Sequence, residues 1–176
     1  MFKNFKFDIQ RYRSLNKSLF YLFFEQGLWA IGAYRFGRWV RKVKIPIIGL
    51  LLRFGAFLLY KGIELTTGIS IPASADIGKG FYIGHFGGIV FHSDVKMGEY
   101  CSIGPGVLIG TRGLGNKGVP VIGNNVYIGV GAKVLGGINI GDNAKIGANA
   151  VVVTDVPAGG TAVGIPARIV QRKGMS

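Results

Sequence analysis

From residue 71 onward one apolar side chain returns every six residues. Ile71, Ile77 and Ile83 set the beat; after an eight-residue step Phe91, Met97, Ile103 and Ile109 resume it. After a thirteen-residue step Ile122, Ile128, Val134, Ile140, Ile146 and Val152 carry it on. A glycine follows the isoleucine at eight of these places, from Ile77-Gly78 to Ile146-Gly147. A period of six matches neither the 3.6-residue helix nor a simple alternating strand, and a β-sandwich would space its turns irregularly. It fits a parallel β-helix of triangular section, each hexad making one short strand and one turn. The recurring aliphatic points inward and stacks on its equivalents above and below. The glycine beside it suits a corner where a Cβ would crowd or φ turns positive. A coil cannot bury its apolar face alone, so several must stack, and residues 69–155 supply roughly five.

The chain ahead of the repeat is of another kind. Residues 5–65 place apolar side chains at helical spacing, with Asp8 set to charge a first turn and Pro46 as a break. The division expected is therefore a helical region at 1–65, the β-helix at 66–170 and a basic tail at 171–176. Twelve Lys/Arg against Asp8 and Glu25 put +10 of the chain's +13 into residues 1–61. Two apolar stretches, Leu19–Tyr34 and Ile45–Tyr60, carry one charge near the middle of each, Glu25 and Arg53. A spanning helix wants about 20 apolar residues, so both suit buried or interfacial helices better. Either the region caps the solenoid or a neighbouring copy, or it lies on an anionic leaflet; the charge favours the leaflet. No nucleic-acid motif accompanies the basic residues. With no secretory signal and one cysteine, Cys101, the expected place is the cytoplasm, at the inner face of the cell membrane.

The interruptions of the beat are where function is expected. The thirteen-residue step contains Thr-Arg-Gly-Leu-Gly-Asn-Lys-Gly-Val-Pro at 111–120, a loop extruded from the prism. Within it 113–118 matches G-x-G-x-x-G literally, but Pro120 and another hexad follow instead of a helix, so no dinucleotide context exists. The eight-residue step carries Gly-His-Phe-Gly-Gly at 84–88, which singles out His85; the only other histidine, His92, sits in regular register.

These residues resemble the hexapeptide-repeat acyltransferases, in the serine acetyltransferase branch. The resemblance rests on Phe7-Asp-Ile-Gln10, Gly27-Leu-Trp-Ala30 with Tyr34-Arg35, Ile83-Gly-His85, Leu135-Gly-Gly-Ile138, Ile140-Gly-Asp-Asn-Ala-Lys-Ile-Gly-Ala148 and Val163-Gly-Ile-Pro-Ala167. It implies a mainly β fold, a left-handed parallel β-helix behind N-terminal helices, assembled as single or paired homotrimers. It also implies acetyl-CoA as acyl donor, with its arm in a groove between neighbouring prisms. Gly110, Thr111, Gly129, Gly131, Ala132, Gly147 and Ala148 match that groove, with Lys145 and Arg168 for the phosphates. No metal is expected, since two histidines fall short of the three that hexapeptide carbonic anhydrases use.

Where serine-specific members carry Asp, Arg-His and His, this chain has Gly84, Gly118-Val119 and Pro72. A buried ammonium and carboxylate need charged partners, and these residues offer none. The loop from Ile109 onward is closer to colanic acid and capsule O-acetyltransferases. The acceptor expected is therefore a sugar hydroxyl of an envelope polysaccharide precursor, lipid-linked or free, with Asp8, His92 and Arg112 lining its site. Serine O-acetylation is the alternative within enzymes; a non-catalytic, membrane-bound trimeric scaffold is the alternative outside them. In the enzymatic readings His85 is the general base, because an alcohol attacks a thioester only as its proton leaves, and a backbone N–H steadies the oxyanion. Asp94, Glu99 or an acid of another subunit would orient the imidazole.

Overall fold

A computed structural model describes residues 2–15, 19–113, 115 and 118–170 of the chain. The 171–176 tail, Lys17 and parts of the extruded loop lie outside the described residues. Four helices come first: α1 (Phe2–Ser14), α2 (Leu19–Leu22), α3 (Gln26–Val40) and α4 (Pro46–Thr67). Pro46 opens α4 at a position where its missing N–H costs nothing. Gly68, at φ 66°, ends α4 in the left-handed conformation that a helix C-terminus favours.

The rest is a three-faced prism of short strands. One face stacks β1 (Ile69–Ser70), β4 (Ile89–Phe91), β7 (Leu108–Gly110), β10 (Lys133–Leu135) and β13 (Val151–Val152), all parallel. The second stacks β2 (Asp76–Ile77), β5 (Lys96–Met97), β8 (Val121–Ile122) and β11 (Asn139–Ile140). The third stacks β3 (Tyr82–Ile83), β6 (Ser102–Ile103), β9 (Tyr127–Ile128), β12 (Lys145–Ile146) and β14 (Thr161–Gly164); β15 (Ala167–Val170) folds back on it antiparallel. This is the triangular parallel β-helix the six-residue beat required, with the left-handed course the resemblance implied.

The register shows both interruptions. Tyr127 faces Lys145 and Val121 faces Asn139, the three-hexad coil. Tyr82 instead faces Ser102, two residues further along, because the step holding His85 is longer. Lys96 faces Val121, and that excess is the extruded loop. The predicted inward residues, Ile77 to Val152, are at most 4% exposed. A second inward position, two residues earlier in the hexad, is equally buried: Ala75, Phe81, Val95, Cys101, Val107, Val126, Ala132, Ala144 and Ala150. Gly78 earns its place by close approach, since a Cβ there would meet the Gly98 carbonyl at 2.6 Å. Positive φ falls elsewhere at the corners, at residues such as Asn125 and Asn143, whose short amides tolerate it.

The open end of such a prism is a ring of unpaired strand edges, and here α1 and α3 close it with side chains. The Tyr34 hydroxyl donates to the Ala75 carbonyl at 2.9 Å and accepts from the Ile77 N–H at 3.1 Å. The Arg35 guanidinium donates to the Ile77 and Gly78 carbonyls, at 2.7 and 2.5 Å. The Asp8 carboxylate accepts from the Phe81 N–H at 2.9 Å and from Arg35 at 2.9 and 3.2 Å. Tyr12 does for Ile83 what Tyr34 does for the coil's other strand, at 3.0 and 3.2 Å. Asp8 was expected to line the acceptor site. The fold corrects this: it is fully buried and its oxygens are taken by the cap. It sits mid-helix, not in a first turn.

Candidate functional site

His85 stands at the corner between β3 and β4, exposed, on the segment that breaks the repeat. Three anchors hold that segment. Tyr12 grips Ile83 from α1; the Gly87 N–H donates to the Thr67 carbonyl at the end of α4; and the Gly106 N–H, from the coil below, donates to the Gly87 carbonyl. Gly87 and Gly88, at φ 103° and 63°, make the turn between them. The helical cap thus fixes the base of the corner that carries the histidine.

The imidazole Nδ1 lies 3.2 Å from the Phe86 carbonyl oxygen, which can only accept, so the neutral ring makes this hydrogen bond in the tautomer with the proton on Nδ1 and the lone pair on Nε2. The Phe86 ring stacks on it, centroids 4.5 Å apart and planes at 24°. Neither carboxylate considered from the sequence reaches it. Asp94 sits beside His92, and Glu99 pairs with Lys79 at 3.1 Å. The orienting acceptor is a backbone carbonyl, and no residue pattern in the sequence could have pointed to it.

His92 has the opposite tautomer. The Asp94 N–H donates to its Nδ1 at 3.2 Å, leaving the proton on Nε2. It is a hydrogen-bond donor outward, where His85 is an acceptor. It stands at the far end of β4, next to Gly110, whose missing Cβ would lie 3.7 Å from the His92 Cβ. Arg112 is exposed there at the base of the extruded loop and packs over Gly136.

The residues matched to a CoA groove divide between two edges of the prism. Gly129, Gly131, Gly147 and Ala148 continue the His85 corner down successive coils, because Gly88 stacks on Gly106, Gly106 on Gly131, and Gly129 on Ala148. Gly110 and Thr111 lie at the His92 edge instead. Lys145 on β12 and Arg168 on β15 are exposed on the third face. Ala132 is corrected: it is fully buried in the prism and its side chain cannot line a surface groove. Within one chain the face carrying β4 separates the two edges, so His85 is not brought together with His92 and Arg112.

Comparison with known proteins gives one consistent result. Residues 120–154 match the bacterial transferase hexapeptide (six repeats) family. The chain is 37% identical over 173 residues to a serine acetyltransferase of Synechococcus elongatus, spanning 98% of this chain and 68% of that protein. A soybean serine acetyltransferase solved with serine superposes with a TM-score of 0.83 at 32% identity, over 96% of this chain and 68% of that one. A Brucella abortus serine acetyltransferase solved with coenzyme A gives 0.83 at 30% identity, over 99% and 69%. The chain therefore spans about two thirds of the length of each of these proteins.

Proposed function

Because this chain belongs to the serine acetyltransferase family of hexapeptide-repeat transferases, we propose that it moves an acetyl group from acetyl-CoA to the hydroxyl of serine, with His85 as general base. The sugar acceptor expected from Gly84, Gly118-Val119 and Pro72 is overturned: the relatives that match over nearly the whole chain are serine acetyltransferases, and one solved relative is complexed with serine. Four uncharged residues at those positions weigh less than 37% identity over 173 residues.

His85 Nε2 takes the proton of the serine hydroxyl as its oxygen attacks the thioester carbonyl. The tetrahedral oxyanion collapses, the C–S bond breaks, and the imidazolium returns its proton to the CoA sulfur. O-acetylserine and CoA leave with nothing else consumed. Opposite tautomers support this assignment of roles, since only His85 offers a lone pair outward.

The amino-acid end of serine then needs two charges, and the His92 edge has them. Arg112 and the Nε2–H of His92 suit the carboxylate, and Asp94 suits the ammonium. For that edge to meet His85, a second prism must stand beside the first, as in a homotrimer with the site between neighbours. CoA occupies the glycine and alanine column below His85, its phosphates toward Lys145 and Arg168.

Release of CoA measured with serine, and separately with sugar acceptors, tests the reading. Turnover with serine and none with sugars is expected; serine failing while a sugar reacts would overturn it. His85→Ala should cost at least ~10²-fold in kcat, and an unchanged rate would remove the imidazole from the mechanism.

A further inference from the structure

Among the described residues, none covers the outward side of α4. Its inner stripe, Gly49, Leu52, Ala56, Tyr60, Ile63 and Thr67, recurs every three to four residues, is wholly or partly buried, and faces α3 and the first coil. The opposite stripe is apolar as well: Ile47, Leu51, Phe54, Leu58 and Leu65 are between 53 and 85% exposed. Side chains of this size strung from Ile47 to Leu65 make a patch about 27 Å long, beyond what a soluble monomer ordinarily leaves open. A second patch, Phe20, Tyr21, Phe23 and Phe24, is exposed beside α2. An apolar groove of about 520 Å³ lies between them, with Phe23 and Trp29 on one side and Leu59 and Ile63 on the other.

The charge around this surface decides what covers it. Lys42 and Lys44, both exposed, lead directly into α4, and Arg53 and Lys61 rise from it. Lys3, Arg38 and Lys42 line a polar groove with Trp39 at the neighbouring end of α3. The carboxylates of the region are few and engaged: Asp8 is buried on Arg35, Glu64 pairs with Lys61, Asp76 pairs with Arg38 and leaves Lys3 and Lys42 as that groove's unpaired cations among the described contacts, and Glu25 is half-buried. A second copy docked through the same face would set one strongly basic surface against another. A lipid leaflet with anionic headgroups offers apolar depth and opposite charge together.

We propose that α4 and the Phe20–Phe24 patch lie flat in the surface of an anionic bilayer, the phosphates of its headgroups meeting Lys42, Lys44 and the groove beside Trp39. α4 has the length and composition to cross a membrane, with 6% of its most apolar stretch buried. It does not cross here, because its inner stripe packs on α3 and its C-terminus is tied to the first coil through Tyr60–Ser70 at 2.7 Å and Thr67–Gly87 at 2.9 Å. The inference is independent of which acceptor the enzyme uses.

Flotation of the purified full chain with vesicles tests it. Binding is expected to phosphatidylcholine vesicles containing a quarter phosphatidylglycerol, and not to phosphatidylcholine alone. Lys42→Gln with Lys44→Gln should weaken binding about 30-fold. Ile47→Ser with Leu51→Ser and Phe54→Ser should abolish it while CoA release with the soluble acceptor stays within twofold, which also shows the variant folded. Equal flotation on both vesicle types overturns the charge argument. No flotation, with an assembly larger than a trimer that the same serine substitutions disperse, would assign the face to a second copy.

Discussion

At the scale of residues the chain separates two histidines by what each hydrogen-bonds. A carbonyl on Nδ1 leaves the neutral His85 ring an acceptor at Nε2, and an N–H on Nδ1 makes His92 a donor there. Among the described residues the Phe86 ring alone stacks on the His85 plane, so Phe86→Ala should lower kcat about tenfold while KM for serine and acetyl-CoA stays within about twofold. Initial rates over a substrate grid decide this; a shift confined to KM would make Phe86 a binding residue. The thiol of Cys101 is a third case. Burial pushes it up to about 11, and its Sγ donates to the Gly123 carbonyl at 3.2 Å. Ellman's reagent at pH 8 should leave it unreacted in the folded protein and titrate it after denaturation. His85 was legible in the sequence because the repeat breaks around it. The carbonyl that orients it was not, because any residue at 86 would carry one.

At the scale of elements the helical region is a lid on the prism, and its polar side chains replace a missing coil. Tyr12→Phe removes the hydroxyl that serves both the N–H and the carbonyl of Ile83. It should cost about 1–3 kcal/mol, read as a lower urea midpoint, and should lower kcat as well, since Ile83 holds the corner two residues before His85. Asp8→Asn leaves the buried Arg35 guanidinium without its counter-charge and should cost about 3–5 kcal/mol. A substrate-binding Asp8 would instead raise KM and leave the urea midpoint alone. The six-residue beat disclosed one inward position in each hexad, the one where a large apolar side chain returns every time. It missed the second set, because Ala75, Phe81, Cys101 and Ala132 share burial and no common side chain. For the same reason Ala132 read as a groove residue. The role of Asp8 was hidden too: one helical turn from Tyr12, it could face solvent, substrate or strand, and only the packed coil decides.

At the scale of the whole molecule, the geometry of one prism makes a claim about how many chains an active site needs. His85 lies at one end of β4, and His92 with Arg112 at the other, so one chain alone keeps the proposed base and the proposed carboxylate partner apart. If neighbouring prisms bring the two edges together, each site takes His85 from one chain and Arg112 from the next. Arg112→Ala should then raise KM for serine about 10- to 100-fold and be nearly silent at low serine, as His85→Ala is at any concentration. Neither variant alone exceeds about a tenth of the wild-type rate under those conditions. After subunits exchange in an equal mixture, a site has an even chance of an intact His85 and, independently, an even chance of an intact Arg112. Activity at low serine should therefore return to about one quarter of wild type. A site contained within one chain allows no such rescue, because every chain in the mixture carries one defect. Rates measured before and after exchange, at fixed total protein, distinguish the two; a mixture that stays inactive while mixed trimers are demonstrated by mass would place base and carboxylate partner in the same subunit.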